Sequence, residues 1–230
     1  MMQLSTLAKR IISAAILGPI AVFALWYGGI PFYILMMAAF AISVHEWSRL
    51  SVRDGRIKWS LLIAGIFYIG IALSCAVWLR NFEAAGFYIL LYVFFAVWAC
   101  DIGAYAAGRM IGGPKMAPKI SPNKTWAGLV GGCIAAIAAV MLYHIWLDDR
   151  VTSAVVERFS LFFQFTLGLF LSVVGQLGDL LESSLKRHAG LKDSGSIIPG
   201  HGGLLDRIDA LLLTIPVYTL VIFYLNYITS

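Results

Sequence analysis

Long, uninterrupted apolar runs constrain this 230-residue chain more than any other feature. A helix needs about 20 apolar residues to cross the hydrocarbon core of a bilayer, where backbone groups must pair with one another. Runs of suitable length occur at 11–28, 31–47, 60–79, 86–107, 126–147, 160–180 and 209–228. Only 13% of the residues are charged, against roughly a quarter in a soluble domain. The sequence therefore predicts an all-α, polytopic integral membrane protein with about seven transmembrane helices.

The basic residues between these runs predict how the chain crosses the membrane, because cytoplasmic connections carry an excess of lysine and arginine. With the N-terminus in the cytoplasm, fourteen of the seventeen lysines and arginines fall on that side, and three fall outside: Arg80, Arg150 and Arg158. The sequence therefore predicts a cytoplasmic N-terminus. Because insertion alone accounts for this bias, the net charge of +5 does not indicate a nucleic-acid partner, and none is predicted.

Three aspartates fall inside predicted spans, where charged side chains are costly and mark functional sites. Asp101 lies in the fourth span, Asp179 at the end of the sixth and Asp209 at the start of the seventh. Residues three apart share a helix face, so Glu182 lies beside Asp179 and Asp206 lies beside Asp209. The topology places all five carboxylates near the cytoplasmic helix ends, where we expect them to converge.

Clustered carboxylates repel one another, which predicts either a proton or ion path or a bound divalent cation. The neighbouring residues Lys186, Arg187, Lys192 and Arg207 favour the bound cation. Mg²⁺ is usually held by one or two carboxylates while substrate phosphates supply further oxygens. A site with charges of both signs therefore fits an anionic, phosphate-rich ligand together with Mg²⁺.

Two polar segments carry groups suited to phosphate. In "PGHGG" (199–203), Gly202 and Gly203 follow His201, so that backbone N–H groups can approach an anion closely. In "SPNKTW" (121–126), donors stand at a predicted helix N-terminus, itself an anion site: Ser121, Asn123, Lys124 and Thr125. Taken alone, the histidine also fits a structural role, and the second segment also fits an ordinary helix cap with a lysine that follows the positive-inside rule.

Gly128 and Gly132 form a GxxxG pattern in the fifth predicted span. Small residues at this spacing let membrane helices approach closely. We interpret the pattern as helix packing.

The charged segment between the sixth and seventh spans resembles the signature of the phosphatidate cytidylyltransferases, also called CDP-diacylglycerol synthases. That signature reads Ser-x-aliphatic-Lys-Arg, four residues, Lys-Asp-x-Gly, then Pro-x-His-Gly-Gly and Asp-Arg-x-Asp. Residues 183–209 match it at Ser183, Lys186, Arg187, Lys192, Asp193, Gly195, Pro199, His201, Gly202, Gly203, Asp206, Arg207 and Asp209. "GDLLES" (178–183), "DIGAY" (101–105) and "SPNKTWAG" (121–128) resemble the same family, so the likeness covers roughly residues 95–228.

The resemblance implies a membrane enzyme that transfers CMP from CTP to the phosphate of phosphatidic acid, releases pyrophosphate and requires Mg²⁺. Asp179 and Asp206 match the family's metal-binding aspartates. Catalytic roles are expected for Lys186, Arg187, Lys192, Asp193, His201, Arg207 and Asp209. Substrate-binding roles are expected for Ser121, Asn123, Lys124, Thr125, Gly202, Gly203 and Asp101.

The resemblance also implies a homodimer, and we expect a bacterial cytoplasmic membrane with the site facing the cytoplasm. Residues 1–94 are expected to serve as a scaffold or in dimer or lipid contacts. Residues 95–230 are expected to form the catalytic region, with cytoplasmic loops at 108–125 and 181–207. The chain departs from the family in having fewer N-terminal spans than many relatives, and in Ala127, where relatives often carry Glu or Gln.

Two other functions stay open at this point. A CTP-dependent polyprenol kinase would act on a neutral lipid alcohol and would need a general base, and the complete His-Gly-Gly and Asp-Arg-x-Asp signature argues against it. A transporter that uses the intramembrane acids as a proton path would show ion flux and no CTP turnover.

Overall fold

The computed structural model describes residues 6–82, 85–147 and 160–229, and within them the chain forms seven helices. Six of these are long and apolar enough to cross a membrane, and the first contains a shorter apolar stretch. The prediction of a polytopic helical membrane protein is confirmed, while Arg150 and Arg158 lie outside the described residues. The helices are α1 (Thr6–Tyr27), α2 (Gly29–Leu50), α3 (Trp59–Arg80), α4 (Gly86–Met110), α5 (Trp126–Leu147), α6 (Leu161–His188) and α7 (Leu205–Thr229).

Two helices extend further than hydropathy predicted, at the end of the bundle that carries the charged residues. Helix α6 continues to His188 and α7 begins at Leu205, so the predicted loop at 181–207 is too long. A boundary drawn from hydropathy stops where charges begin, whereas the helix continues as long as its backbone groups pair. Lys186 and Arg187 accordingly lie on α6 and not on a loop.

Two short hairpins connect helices at this same end. The first turns through Asp54 and Gly55, which both have positive φ, as a two-residue hairpin turn requires. The second turns between α4 and α5, so the predicted loop at 108–125 contains the end of α4 and an ordered antiparallel pair. The strands are β1 (Val52–Arg53), β2 (Arg56–Ile57), β3 (Lys115–Ala117) and β4 (Ser121–Thr125).

Helices α4 and α5 pack backbone against backbone along a seam of glycines. A Cβ atom at Gly128 would lie 2.9 Å from the carbonyl oxygen of Ala104, and one at Gly132 would lie 2.9 Å from that of Cys100. Gly103 on α4 permits the same close approach from the other side. The GxxxG pattern is therefore a packing device, as predicted, and it holds the start of α5 against α4.

The core lies where α4, α6 and α7 meet, and it contains fully buried Tyr92, Leu171 and Tyr218. Near the end of α2, Trp47 donates from Nε1 to the carbonyl oxygen of Leu61 over 2.9 Å, which fastens α2 to α3. Helix α3 packs in turn against α7. The end of α2 is thus held beside the start of α7, at the end of the bundle with the charged residues.

Candidate active site

A stripe of polar side chains runs along α6 toward its C-terminal end. Its members are three or four residues apart, the spacing of neighbours on one helix face: Gln176, Asp179, Ser183 and Lys186. Ser183 Oγ donates to Asp179 Oδ1 over 3.1 Å. Such polar side chains are stable on a membrane helix only where neighbouring elements supply partners. The β3–β4 hairpin and α7 supply them here.

Lys124 joins the β3–β4 hairpin to this stripe. Its Nζ lies 2.7 Å from Asp179 Oδ2 and donates to Gln176 Oε1 over 3.0 Å. The same side chains line a cavity of about 260 Å³ together with three further predicted site residues, Asp101, Asn123 and Thr125. The cavity therefore presents charges of both signs, as the sequence predicted for this end of the bundle.

Lys186 forms a second link, between α6 and α7. Its Nζ lies 2.7 Å from Asp206 Oδ1 and 3.2 Å from Glu182 Oε1. One ammonium group therefore lies between two carboxyl groups, one on each helix. All three side chains are largely buried, so water screens their attraction less than it would at a surface.

Asp206 also organises the connection between α6 and α7. Its Oδ2 accepts hydrogen bonds from the Ser194 N–H (3.0 Å), the Ser194 hydroxyl (3.1 Å) and the Gly203 N–H (2.9 Å). Both oxygens of Asp206 therefore accept from protein donors. The Gly203 N–H, predicted to face a substrate phosphate, is used within the protein in this structure.

The two arginines of the signature fasten neighbouring backbone segments. Arg187 donates from Nε to the carbonyl oxygen of Ile120 (3.1 Å) and from Nη1 to that of Leu191 (3.0 Å). Arg207 donates from Nε and Nη2 to the carbonyl oxygen of His201, over 3.1 and 2.8 Å. A guanidinium carries five N–H donors, so both arginines keep donors that can face a phosphate.

Residues of the β3–β4 hairpin shape the start of α5. Thr125 Oγ1 accepts the Gly128 N–H over 3.0 Å and thereby caps the helix. Ser121 pairs with Ala117 across the hairpin, and Asn123 is exposed. The interpretation of this segment as a helix cap is therefore correct for Thr125. The preceding residue, Lys124, is directed toward α6 instead.

The other predicted residues surround the same end of the bundle. Lys192 and Asp193 are exposed on the connection between α6 and α7. Gly202 has a φ of 88°, a conformation that glycine adopts without strain. Asp209 lies on α7 where it packs against α6, since a Cβ atom at Gly178 would lie 2.9 Å from its carbonyl oxygen. The individual roles of these residues stay predictions.

Three residues contact the site although the sequence did not predict them as site residues: Glu46, Gln176 and Ser194. Glu46 is fully buried near the end of α2 and accepts from Ser194 Oγ over 3.0 Å. It falls inside the predicted span 31–47, so the rule that singled out Asp101 would have identified it. Gln176 is likewise polar inside a span. Ser194 carried no such signal, because serine is common in polar connections.

The two predicted metal-binding aspartates are each paired with a lysine. Asp179 Oδ2 and Asp206 Oδ1 lie 2.7 Å from Lys124 Nζ and Lys186 Nζ. Across residues 6–82, 85–147 and 160–229, no three His, Cys, Asp or Glu side chains are grouped as a metal-binding set. Mg²⁺ is commonly held by one or two carboxylates, with phosphate and water oxygens completing its shell. All four oxygens of Asp179 and Asp206 accept from protein donors here, so an Mg²⁺ ion bound to them would replace Lys124 or Lys186 as a partner and would take its other ligands from a phosphate-bearing ligand and water.

The chain is similar to known proteins over most of its length. The model of the cytidylyltransferase family matches residues 53–225, so the likeness begins well before residue 95. A phosphatidate cytidylyltransferase of Brucella suis is 35% identical over 91% of this chain and 90% of that protein. One of Rickettsia bellii is 36% identical over 97% of this chain and 92% of that protein. One of Bacillus subtilis is 40% identical over 65% of this chain and 52% of that protein.

Proposed function

The chain belongs to the cytidylyltransferase family, and we propose that it transfers CMP from CTP to phosphatidic acid as an integral membrane enzyme. An oxygen of the lipid phosphate attacks the α-phosphorus of CTP, the bond between that phosphorus and the β-phosphate breaks, and pyrophosphate leaves. One observation carries the proposal beyond family membership. At one end of the bundle, Lys124 pairs with Asp179 and Lys186 pairs with Asp206, each over 2.7 Å.

The main obstacle to this reaction is electrostatic, because nucleophile and electrophile are both anions. The lipid phosphate is already charged, so the reaction needs no strong general base. Fixed ammonium groups lower the barrier by stabilising negative charge on the reacting phosphates. Lys124 and Lys186 are held by acidic partners on α6 and α7, so such charges are in place before the substrates bind.

A requirement for Mg²⁺ is proposed because both substrates are anionic and because acidic side chains lie at the same end of the bundle. A divalent cation would reduce the repulsion between the substrate phosphates and these side chains. Asp179 and Asp206 would hold the ion, which supplies Lewis-acid polarisation of phosphate oxygens.

The proposed orientation places the site at the cytoplasmic face of a bacterial cytoplasmic membrane. The excess of lysine and arginine at this end of the bundle supports it, as does the bacterial origin of the relatives. CTP is a solute of the cytosol, whereas the phosphate of the lipid lies at the membrane interface. A site at the cytoplasmic helix ends is open to both.

An apolar groove beside the site suits the lipid substrate. It lies between α1 and α2, has a volume of about 890 Å³, and is lined by Ile16, Leu35 and Ala38 among others. One end is formed by Pro199 and Gly200, which directly precede His201 of the signature. A groove between membrane helices that ends at this segment matches a ligand with an apolar chain and a phosphate head. We assign it to an acyl chain of phosphatidic acid.

A product assay tests the function. Purified protein in mixed micelles is incubated with radiolabelled CTP and phosphatidic acid, with and without EDTA. We expect labelled CDP-diacylglycerol, its loss with EDTA and its return with excess Mg²⁺. A polyprenol kinase would instead release CDP and phosphorylate a polyprenol, and a transporter would conduct ions in liposomes without CTP turnover. Either result without CDP-diacylglycerol would overturn the proposal.

A further inference from the structure

Glu46 of α2 joins the N-terminal part of the chain to the signature segment. Its carboxylate is fully buried; Oε1 accepts the Leu204 N–H over 3.0 Å, and Oε2 accepts the Leu205 N–H over 2.9 Å and the Ser194 hydroxyl over 3.0 Å. Leu204 and Leu205 supply the first amides of α7, where unpaired N–H groups and the helix dipole favour an anion. The carboxylate therefore fixes the start of the helix that carries Asp206.

Two glycines of the signature make room for this carboxylate. A Cβ atom at Gly195 would collide with Glu46 Oε1, and a Cβ atom at Gly203 would lie 2.6 Å from Glu46 Oε2. Neither glycine has a φ in the left-handed region, so space and not backbone conformation requires glycine at these positions. The signature segment is thus shaped on two sides around Glu46.

Ser194 connects Glu46 to the candidate active site through hydrogen bonds. Its hydroxyl lies 3.0 Å from Glu46 Oε2 and 3.1 Å from Asp206 Oδ2, between the two carboxylates. Its N–H donates to Asp206 as well, and Asp206 holds Lys186 at 2.7 Å. With its hydroxyl donating to Glu46 and its N–H donating to Asp206, Ser194 therefore links α2 to the ammonium group on α6.

The environment of Glu46 indicates a role in positioning. Among the described residues, no lysine, arginine or histidine nitrogen lies within 4 Å of its carboxylate. A buried carboxylate without a cationic partner is costly unless hydrogen-bond donors compensate it. A well-packed apolar side chain would avoid that cost, so packing alone does not require a glutamate here.

We propose that Glu46 is a positioning residue of the transferase reaction. It holds the signature segment and the start of α7 so that Asp206 and Lys186 meet the substrate phosphates in one arrangement. This inference rests on the proposed function. Glu46 contacts neither substrate and acts through Ser194 and Asp206. Its loss should therefore lower kcat through misplaced reacting groups more than it weakens binding of CTP.

Steady-state kinetics on Glu46→Gln, which keeps the size of the side chain but loses an acceptor, tests this role. We expect kcat to fall about tenfold or more while KM for CTP changes less than about threefold. Ser43→Ala is the matched control, because Ser43 is also buried, lies one turn earlier on α2 and makes no side-chain hydrogen bond among the described residues. It should leave both constants within about twofold. A Gln variant that keeps kcat within twofold, or that raises only KM, overturns the proposal.

Ser194→Ala tests the path itself, because it removes the bridging hydroxyl and leaves Glu46 with both amides of α7. We expect kcat to fall, and Glu46→Gln to add little on the Ser194→Ala background, since contacts in one path are not additive. Independent, multiplying effects contradict the path. If Glu46→Gln unfolds the protein, Ser194→Ala decides alone: an unchanged kcat overturns the proposal.

Hydrogen exchange separates this inference from the proposed function. In Glu46→Gln, the amides of Ser194, Leu204 and Leu205 should exchange measurably faster, while those of the α4–α5 seam should not change. If the unaltered protein makes no CDP-diacylglycerol, the proposed function fails, yet exchange still reports on Glu46. Unaltered exchange at these three amides would contradict the positioning role.

Discussion

Lys186 and Asp206 form an ion pair at the junction of α6 and α7, with Nζ 2.7 Å from Oδ1 and side chains only 9% and 7% exposed. The ion pair joins the two ends of the connection between α6 and α7, because its partners are twenty residues apart in sequence. Removing one member of a buried pair leaves the other charge uncompensated, at a cost of about 3–5 kcal/mol. The two halves of the signature are therefore coupled through this contact.

Asp206→Asn should nearly abolish product formation. In asparagine, an NH₂ group replaces one of the two oxygens of Asp206. That group would face either Lys186 or the N–H groups of Ser194 and Gly203, so the hydrogen bonds to one of these two sets of donors are lost. We expect CDP-diacylglycerol formation below about a tenth of the unaltered rate at saturating Mg²⁺. Asp54→Asn is the control, because its positive φ of 50° in the β1–β2 turn suits asparagine. Activity above that level in Asp206→Asn would contradict the assigned role.

Lys124 and Lys186 should affect different kinetic constants. Lys186 is buried beside Asp206, so Lys186→Ala is expected to lower mainly kcat, and Lys124→Ala in the polar cavity is expected to raise mainly KM for CTP. Lys186→Arg should rescue poorly, because a planar fork does not replace a compact ammonium between two carboxylates. The measurement varies CTP at saturating phosphatidic acid. An equal fall in kcat for both alanine variants, with KM unchanged, would refute this division.

Gly103→Ala should destabilise the helix bundle. Its Cβ atom would lie 2.6 Å from the carbonyl oxygen of Gly131 and would also press on Ala135, and such overpacking costs about 1–3 kcal/mol. Gly18→Ala in α1 is the matched control, since a Cβ atom there meets nothing within 4 Å and alanine favours a helix. Thermal unfolding in detergent should show a lower Tm for the first variant alone. Equal Tm values would mean that the seam tolerates a methyl group.

Ala38→Trp should obstruct the groove between α1 and α2. We expect KM for a long-chain phosphatidic acid to rise, while KM for CTP stays the same, because Ala38 lines the groove and not the polar cavity. Ala64→Trp, on an exposed part of α3, introduces the same side chain elsewhere. Short-chain phosphatidic acid should be affected less than the long-chain lipid by Ala38→Trp. Identical kinetics for the two tryptophan variants would show that the acyl chain lies elsewhere.

Cysteine labelling tests the orientation in a background without the native cysteines. A cysteine at Lys119, in the β3–β4 hairpin turn, should react with an impermeant maleimide only after spheroplasts are opened. One at Asn81, between α3 and α4, should react in intact spheroplasts, because the two connections lie at opposite ends of α4. The reverse labelling pattern would place the site away from cytosolic CTP and would contradict the proposed function too.

The number and position of the helices could be predicted because membrane spans are apolar along their whole length. The fifth span was predicted at 126–147 and α5 occupies those residues. The sixth was predicted to end at 180, yet α6 continues to His188, because Ser183 and Lys186 lie on a face that neighbouring elements cover. Hydropathy measures transfer into lipid and carries no information on such partners.

The meeting of Asp101 and Asp179 at one cavity followed from the position of each aspartate in its span and from the order of the spans, which can be read along the sequence. The contact of Glu46 with Ser194 was not predictable in this way, because 148 residues separate the two and only the packing of α2 beside α7 joins them. The division into residues 1–94 and 95–230, the homodimer and the roles of single residues stay predictions. Glu46 belongs to the first of these parts and yet contacts the signature segment.

The hydrogen bonds of Glu46 also determine when during synthesis the site can assemble. Its partners in the backbone emerge 158 and 159 residues later, after four further helices have entered the bilayer. Until then, α2 holds a carboxylate near the membrane boundary without its final donors. The hydrogen bonds that fix the end of α2 therefore cannot be completed before residue 205 has been synthesised. A nascent chain that ends before residue 204 would contain Lys124 and Lys186 and would still lack both α7 amides that bind Glu46.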